Sequence, residues 1–123
     1  MNRIEPRDFY LDMPCSIVAI GCALDDLNRL QFTSLLGLYN EAKANNNYAP
    51  LQRVGQEIYR HLQVKKYTYF PRAQRIALKD FRGSGKAIIC VYGHYLYCDF
   101  TIDSYYSFFD NDEDKVVAVW ELK

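Results

Sequence analysis

Cys15 follows Pro14 directly and opens a nearly all-apolar run, Ser16 to Leu24, so its sulfur falls where a buried helix begins. A helix start presents N–H groups without intrahelical partners and the positive end of the aligned peptide dipoles, which favours a sulfur in its nucleophilic, anionic form. A thiol nucleophile also needs an imidazole that can take and return its proton. The chain has two histidines. His94 follows Gly93 in a run of strand-forming residues, whereas His61 closes a helical stretch, where a chargeable ring suits the dipole and a structural role is expected. Cys15 and His94 together have the chemistry of acyl transfer through a thioester.

The group that would orient the imidazole follows from register. If Thr101-Ile102-Asp103-Ser104 turns a hairpin centred between Ile102 and Asp103, Asn111 falls opposite His94 and Asp110 opposite Tyr95. A one-residue shift exchanges the two, and a turn centred on Asp103-Ser104 would move the pairing further. Asp110 and Asn111 are therefore both candidates for orienting the imidazole, with Asp110 the first choice.

These residues need elements to hold them. The run Ser16 to Leu24 predicts a helix buried on every side, with Pro14 at its entrance and Asp25 and Asp26 at its exit, although acids there oppose the dipole. A second helix is expected from Asn28, capped with help from Gln31, with Phe32, Leu35, Leu36 and Tyr39 on one face, and ending at Asn45 to Asn47. A third fits Pro50 to Leu62, its inward stripe being Leu51, Val54, Ile58 and Leu62. Lys65 to Phe70 reads as a strand or extended connection, and Arg72 to Phe81 as a short helix; Gly83-Ser84-Gly85 is a break. Strand-like segments follow at Lys86 to Gly93, His94 to Phe100, Tyr105 to Phe109 and Val116 to Glu121. The first two are compatible with one long strand bent at Gly93, which would put Cys90, Tyr92, His94, Leu96 and Cys98 on one face. The expected fold class is α+β, with N-terminal helices packed on a C-terminal antiparallel sheet.

The stretch Pro14-Cys15-Ser16-Ile17-Val18-Ala19-Ile20-Gly21-Cys22-Ala23-Leu24, followed after two helices by Gly85-Lys86-Ala87-Ile88-Ile89-Cys90-Val91-Tyr92-Gly93-His94, resembles the small papain-like proteins of phages and mobile elements. The resemblance runs from about Asp12 to Trp120. It implies a single papain-like domain over residues 1–123 and a cysteine protease (thiol protease) or related hydrolase with a catalytic triad. Cys15 would be the nucleophile and His94 the base, with the acid on Asp110 or, for a different hairpin gap, its position on Ser107. The chain lacks the Gln shortly before the Cys that such peptidases use as an oxyanion donor. The Cys15 N–H remains as one donor with no second assigned, and losing one such donor costs ~10²–10³ in turnover. The implied partner is a protein or peptide substrate. The alternative is a catalytically silent papain-fold phage protein that binds and inhibits a host protein target.

Bulk properties bound the rest. The 123 residues are half apolar and carry no formal net charge, enough for one core without staples or metals and with no strong overall field toward nucleic acid or membrane. Charge is nevertheless uneven. Arg60 to Lys86 holds eight Lys or Arg against Asp80 alone, and Asp99 to Asp114 holds six acids and no base. The basic stretch with Tyr67, Tyr69 and Phe70 has no accompanying nucleic-acid module, so a solvated face is expected. No apolar run is long enough to cross a bilayer, and Met1 to Asp12 is too charged for a signal peptide, so a cytoplasmic protein is expected, in the host cytoplasm if phage-encoded. Cys15, Cys22, Cys90 and Cys98 then read as thiols, none in a C-x-x-C pair, the last three as core residues. The acidic run from Asp110 has calcium-loop spacing to Glu121 but Lys115 where that loop needs Gly, so neither metal nor cofactor is expected.

Overall fold

The computed structural model describes residues 1–27, 32–46 and 53–123. Among the described residues the fold is α+β, with three helices and a six-stranded mixed sheet. The helices are α1 (Cys15–Asp26), α2 (Phe32–Ala44) and α3 (Val54–His61), α1 lying between the sheet and the other two helices. The strands are β1 (Asn2–Ile4), β2 (Val64–Tyr69), β3 (Lys86–Val91), β4 (His94–Asp99), β5 (Ser104–Tyr106) and β6 (Val116–Leu122), in the order β1-β5-β4-β3-β6-β2. The expected cap at Asn28 and Gln31, the end at Asn47 and the start of the third helix at Pro50 lie outside the described residues.

The sheet is not wholly antiparallel. β1 runs parallel to β5, pairing Arg3 with Tyr105, because the N-terminal segment returns to the sheet edge that the last hairpin leaves open. Nothing in the three residues Asn2-Arg3-Ile4, two of them polar and exposed, announced that strand. The expected helix over Arg72 to Phe81 is instead two 3₁₀ turns, Arg72–Gln74 and Leu78–Asp80, separated by extended backbone. Leu78 alone is driven fully into the core, where its N–H donates to the Asp114 carbonyl.

Alternation along the strands gives the sheet two apolar faces. Ile88, Tyr97, Ala118, Trp120 and Leu122 meet α1 and α3 through Ile17, Ile20, Leu24, Val54 and Ile58. Ala87, Ile89, Val91, Leu96, Cys98, Tyr105, Val116 and Val119 pack on the other side with Leu78, Phe70, Phe81 and Phe100. The connection after β2 therefore acts as the second cover. Gly83 allows its close approach, since a Cβ there would come within 2.6 Å of the Phe100 ring.

Two features of α1 matter for the site. It is buried along Ser16 to Leu24, as expected from its composition. Its acidic exit, unfavourable in isolation, is neutralised by distant partners. Asp25 accepts from Arg7 at 2.7 Å and from the Tyr10 hydroxyl at 2.6 Å, while Asp26 accepts from the Tyr97 hydroxyl at 2.5 Å and pairs with Lys86 at 3.0 Å. These bonds tie α1 to the N-terminal segment and to β4 and β3.

Candidate active site

Pro14 takes an extended conformation (φ −57°, ψ 146°) immediately before α1, and its carbonyl accepts from the Val18 N–H at 3.0 Å. No side chain caps this helix start. The first-turn N–H groups therefore face the space in front of Cys15, as the helix geometry requires. Cys15 itself is half-buried, while the helix behind it is sealed.

His94 reaches the same region by a tight turn. β3 and β4 are not one bent strand: Val91 pairs with His94 across a two-residue turn, Tyr92-Gly93, in which Gly93 has φ +75°. Glycine adopts that conformation without steric penalty. The turn changes the face assignment, since it pairs Cys90 with Tyr95 and sets the His94 row apart from them. Cys90 thus packs toward the helices and Cys98 in the opposite layer. His94, the first residue of β4, stands at the sheet's rim.

There the chain forms a cavity of about 260 Å³ lined by Met13, Cys15, Val18, His94, Tyr95, Tyr106, Ser107, Phe108 and Phe109. A helix-tip thiol and a strand histidine, distant in sequence, both line it, although the strand register sets His94 in the row of Leu96 and Cys98, on the side of the sheet away from α1. Among the described residues no hydrogen bond joins the Cys15 sulfur to the ring. The imidazole is half-buried, with Phe109 edge-on at 6.1 Å between ring centres. Burial holds its pKa below the ordinary 6.5, and the charge of Asp114 partly offsets that effect. The ring is accordingly neutral at neutral pH, the state a proton acceptor needs.

The residue meant to orient the ring is placed differently from expectation. β4 and β5 pair Asp99 with Ser104, Cys98 with Tyr105 and Tyr97 with Tyr106, so the turn spans Phe100 to Asp103, with Asp103 at φ +49°. The ladder ends at Tyr97 and Tyr106, and beyond it the Phe109 ring, not Asn111, meets the His94 imidazole. Asp110 is exposed and does not bond His94. Its carboxylate accepts from the Asp112 N–H at 3.0 Å and lies 3.5 Å from the Tyr105 hydroxyl, serving the turn. Asn111 is buried and links two other residues: it accepts from the Ser107 hydroxyl at 2.6 Å and donates from Nδ2 to Asp114 at 2.8 Å. Ser107 lines the cavity and also accepts from the Phe109 N–H at 3.1 Å.

The polar chain Ser107–Asn111–Asp114 therefore runs from the cavity wall to the carboxylate that acts on His94. Asp114 was passed over because the hairpin register ceases to apply once the chain leaves β5 at Tyr106. The only sequence signal for it was membership of the acidic run. That run folds around the buried Tyr105 hydroxyl, which donates to Asp112 at 3.0 Å and accepts from the Asn111 N–H at 3.2 Å.

Tyr95 lines the cavity, and the sequence did not single it out for a role there. Burial, with the neighbouring Cys90 thiol, pushes its phenol up to about 12, so it stays protonated and can donate. The remaining thiols are unsuited to nucleophilic work. Burial raises Cys22 to about 12, raises Cys90, and raises Cys98 in its sealed layer. His61 is buried on α3 with Nε2 3.2 Å from a Glu57 carboxylate oxygen, away from the cavity. Among the described residues no three His, Cys, Asp or Glu side chains are grouped to hold a metal ion, and no helix is long and apolar enough to cross a membrane.

Comparison with family models, with curated proteins and with solved structures finds no match to this chain.

Proposed function

We propose that this chain is a papain-like thiol hydrolase that cleaves a peptide, isopeptide or related acyl bond. The observation that carries the reading is the common cavity of Cys15 and His94, one at an uncapped helix start and the other a neutral imidazole. In the first step His94 takes the Cys15 proton and the sulfur attacks the substrate carbonyl carbon. The oxyanion then faces the Cys15 N–H, and the Tyr95 hydroxyl is the candidate second donor. Collapse of the intermediate breaks the carbon–nitrogen bond, and the imidazolium delivers its proton to the departing amine. Water, deprotonated by His94, then cleaves the thioester and restores the Cys15 thiol. Asp114, with Asn111 and Ser107 behind it, takes the place first assigned to Asp110 in supporting the imidazolium.

A second reading has an observation of its own. Cys15 and His94 are not hydrogen-bonded among the described residues, and Asp110 is engaged by the turn. A papain-fold phage or mobile-element protein that is catalytically silent and binds a host factor accounts for both. p-Nitrophenyl acetate separates the readings. The hydrolase releases nitrophenol in a burst, with the acetyl group mapped to Cys15, and Cys15→Ala loses both while staying folded. Acetylation no faster than that of free cysteine leaves the silent binding protein.

A further inference from the structure

On the outer side of His94 lies a second, more polar cavity of about 490 Å³, lined by Arg72, Arg75, Tyr92, Glu113, Asp114, Lys115 and Val117. It adjoins the proposed active site through two of its residues. Asp114 is the charge that acts on the His94 imidazole, and Tyr92 sits in the two-residue turn that ends at His94. A register shift between β3 and β6, at Val91 and Val116, bends the strand next to this wall.

Of the cavity's two acids, Glu113 is offset by a cation and Asp114 keeps its charge. Glu113 is held by Lys79 at 2.6 Å and Asp114 by the Asn111 amide at 2.8 Å. Arg75 is held in place, donating from Nε to the Phe70 carbonyl at 2.9 Å and from Nη2 to the Tyr69 hydroxyl at 2.8 Å, with its guanidinium 5.5 Å from the Tyr69 ring centre. Arg72 and Lys115 are exposed, and among the described residues neither has an ion-pair partner. A fixed arginine beside two uncommitted cations, with an exposed tyrosine ring on the same wall, suits a carboxylate.

We infer that this cavity is an anion subsite, and that the substrate carries a carboxylate on the portion lying past His94, either an acidic side chain or a chain's own C-terminus. The inference rests on the thiol-hydrolase reading for its placement, and binding alone can test it. The probes are fluorescein-labelled tetraglutamate with an amidated C-terminus, tetra-alanine with a free C-terminus, and tetra-alanine amide, titrated by anisotropy against the Cys15→Ala protein.

One of the two anionic peptides binds more tightly than the neutral amide, and the difference shrinks as salt rises. Which one does so identifies the carboxylate. Arg72→Gln and Lys115→Gln each weaken it about two- to fivefold, and the pair together about tenfold, as expected for partly screened charges. Equal binding of all three peptides, or anionic binding indifferent to both substitutions, overturns the subsite. Charge-selective binding by a protein whose wild type shows no acetylation burst would instead remove the hydrolase reading and leave the subsite standing.

Discussion

Replacing Tyr97 with Phe tests how α1, and with it Cys15, is anchored. The Tyr97 ring is fully buried and packs on Tyr106 at 5.2 Å, so the substitution leaves the packing intact and deletes one hydroxyl. That hydroxyl donates to Asp26 at 2.5 Å, joining the C-terminal end of α1 to the middle of β4. A hydrogen bond to a charged group contributes about 1.5–3 kcal/mol. Asp26 keeps Lys86 at 3.0 Å and is partly solvated, with 29% of its side chain exposed, which reduces the expected loss to about 1–2 kcal/mol. Trp120, buried beside Tyr67 and Tyr95, reports unfolding by fluorescence. At neutral pH the urea midpoint should fall by roughly 0.5–1 M.

The pH dependence sharpens the test. Burial alone would raise the Asp26 pKa, but the Tyr97 and Lys86 hydrogen bonds outweigh it and leave the folded value below the ordinary 3.8. A carboxylate depressed in the folded state contributes stability that is complete above its unfolded pKa and is lost as pH falls through the folded one. The gap between wild type and Tyr97→Phe should therefore hold from neutrality to about pH 4 and narrow below it. An unchanged midpoint at neutral pH, or a gap of constant size down to strong acid, would show that this bond does not secure the helix.

The other expectations concern the site and its supports. By NMR, His94 should titrate below 6.5, and Asp114→Asn should move it lower still by removing the charge that partly offsets burial; a rise, or no change, would remove Asp114 from its supporting role. Because burial makes this imidazole shed its proton on folding, its contribution to stability is complete above 6.5 and declines as pH falls toward the folded value. Asn111→Ala leaves the Ser107 hydroxyl without its acceptor and should cost about 1–3 kcal/mol in urea denaturation. A loss within error would mean that the Ser107–Asn111–Asp114 chain contributes nothing to the fold. Ile88→Ala, at a fully buried position between the sheet and the helices, should cost about 2–5 kcal/mol. A smaller loss than that of Asn111→Ala would contradict the core assignment.

The elements that the sequence made legible were those with strong local patterns. The all-apolar run after Cys15 could only be a buried helix, and the Val-, Ile- and Tyr-rich segments became β3, β4 and β6 nearly residue for residue. Placing Cys15 at the start of α1 followed from Pro14 and that run alone. What could not be read depended on contacts between distant segments. β1 is three residues whose only reason to be a strand is the free edge of β5. Asp25 and Asp26 looked misplaced at a helix exit until Arg7, Tyr10, Tyr97 and Lys86 supplied their partners. The expected facing of Asn111 and His94 failed for a more local reason. A hairpin register amplifies any error in the turn: the turn lies at Phe100 to Asp103, and it is Phe109, not Asn111, whose ring meets His94. Asp114 lay beyond the reach of strand geometry altogether.

The most direct test of the joint action of Cys15 and His94 is the rate at which iodoacetamide alkylates Cys15 near neutral pH, read by peptide mass spectrometry in wild type and in His94→Ala. A thiol served by that imidazole reacts faster than free cysteine and slows by about tenfold or more without the ring. Equal rates in the two proteins, no faster than free cysteine, would show that the shared cavity brings the two groups together without coupling them.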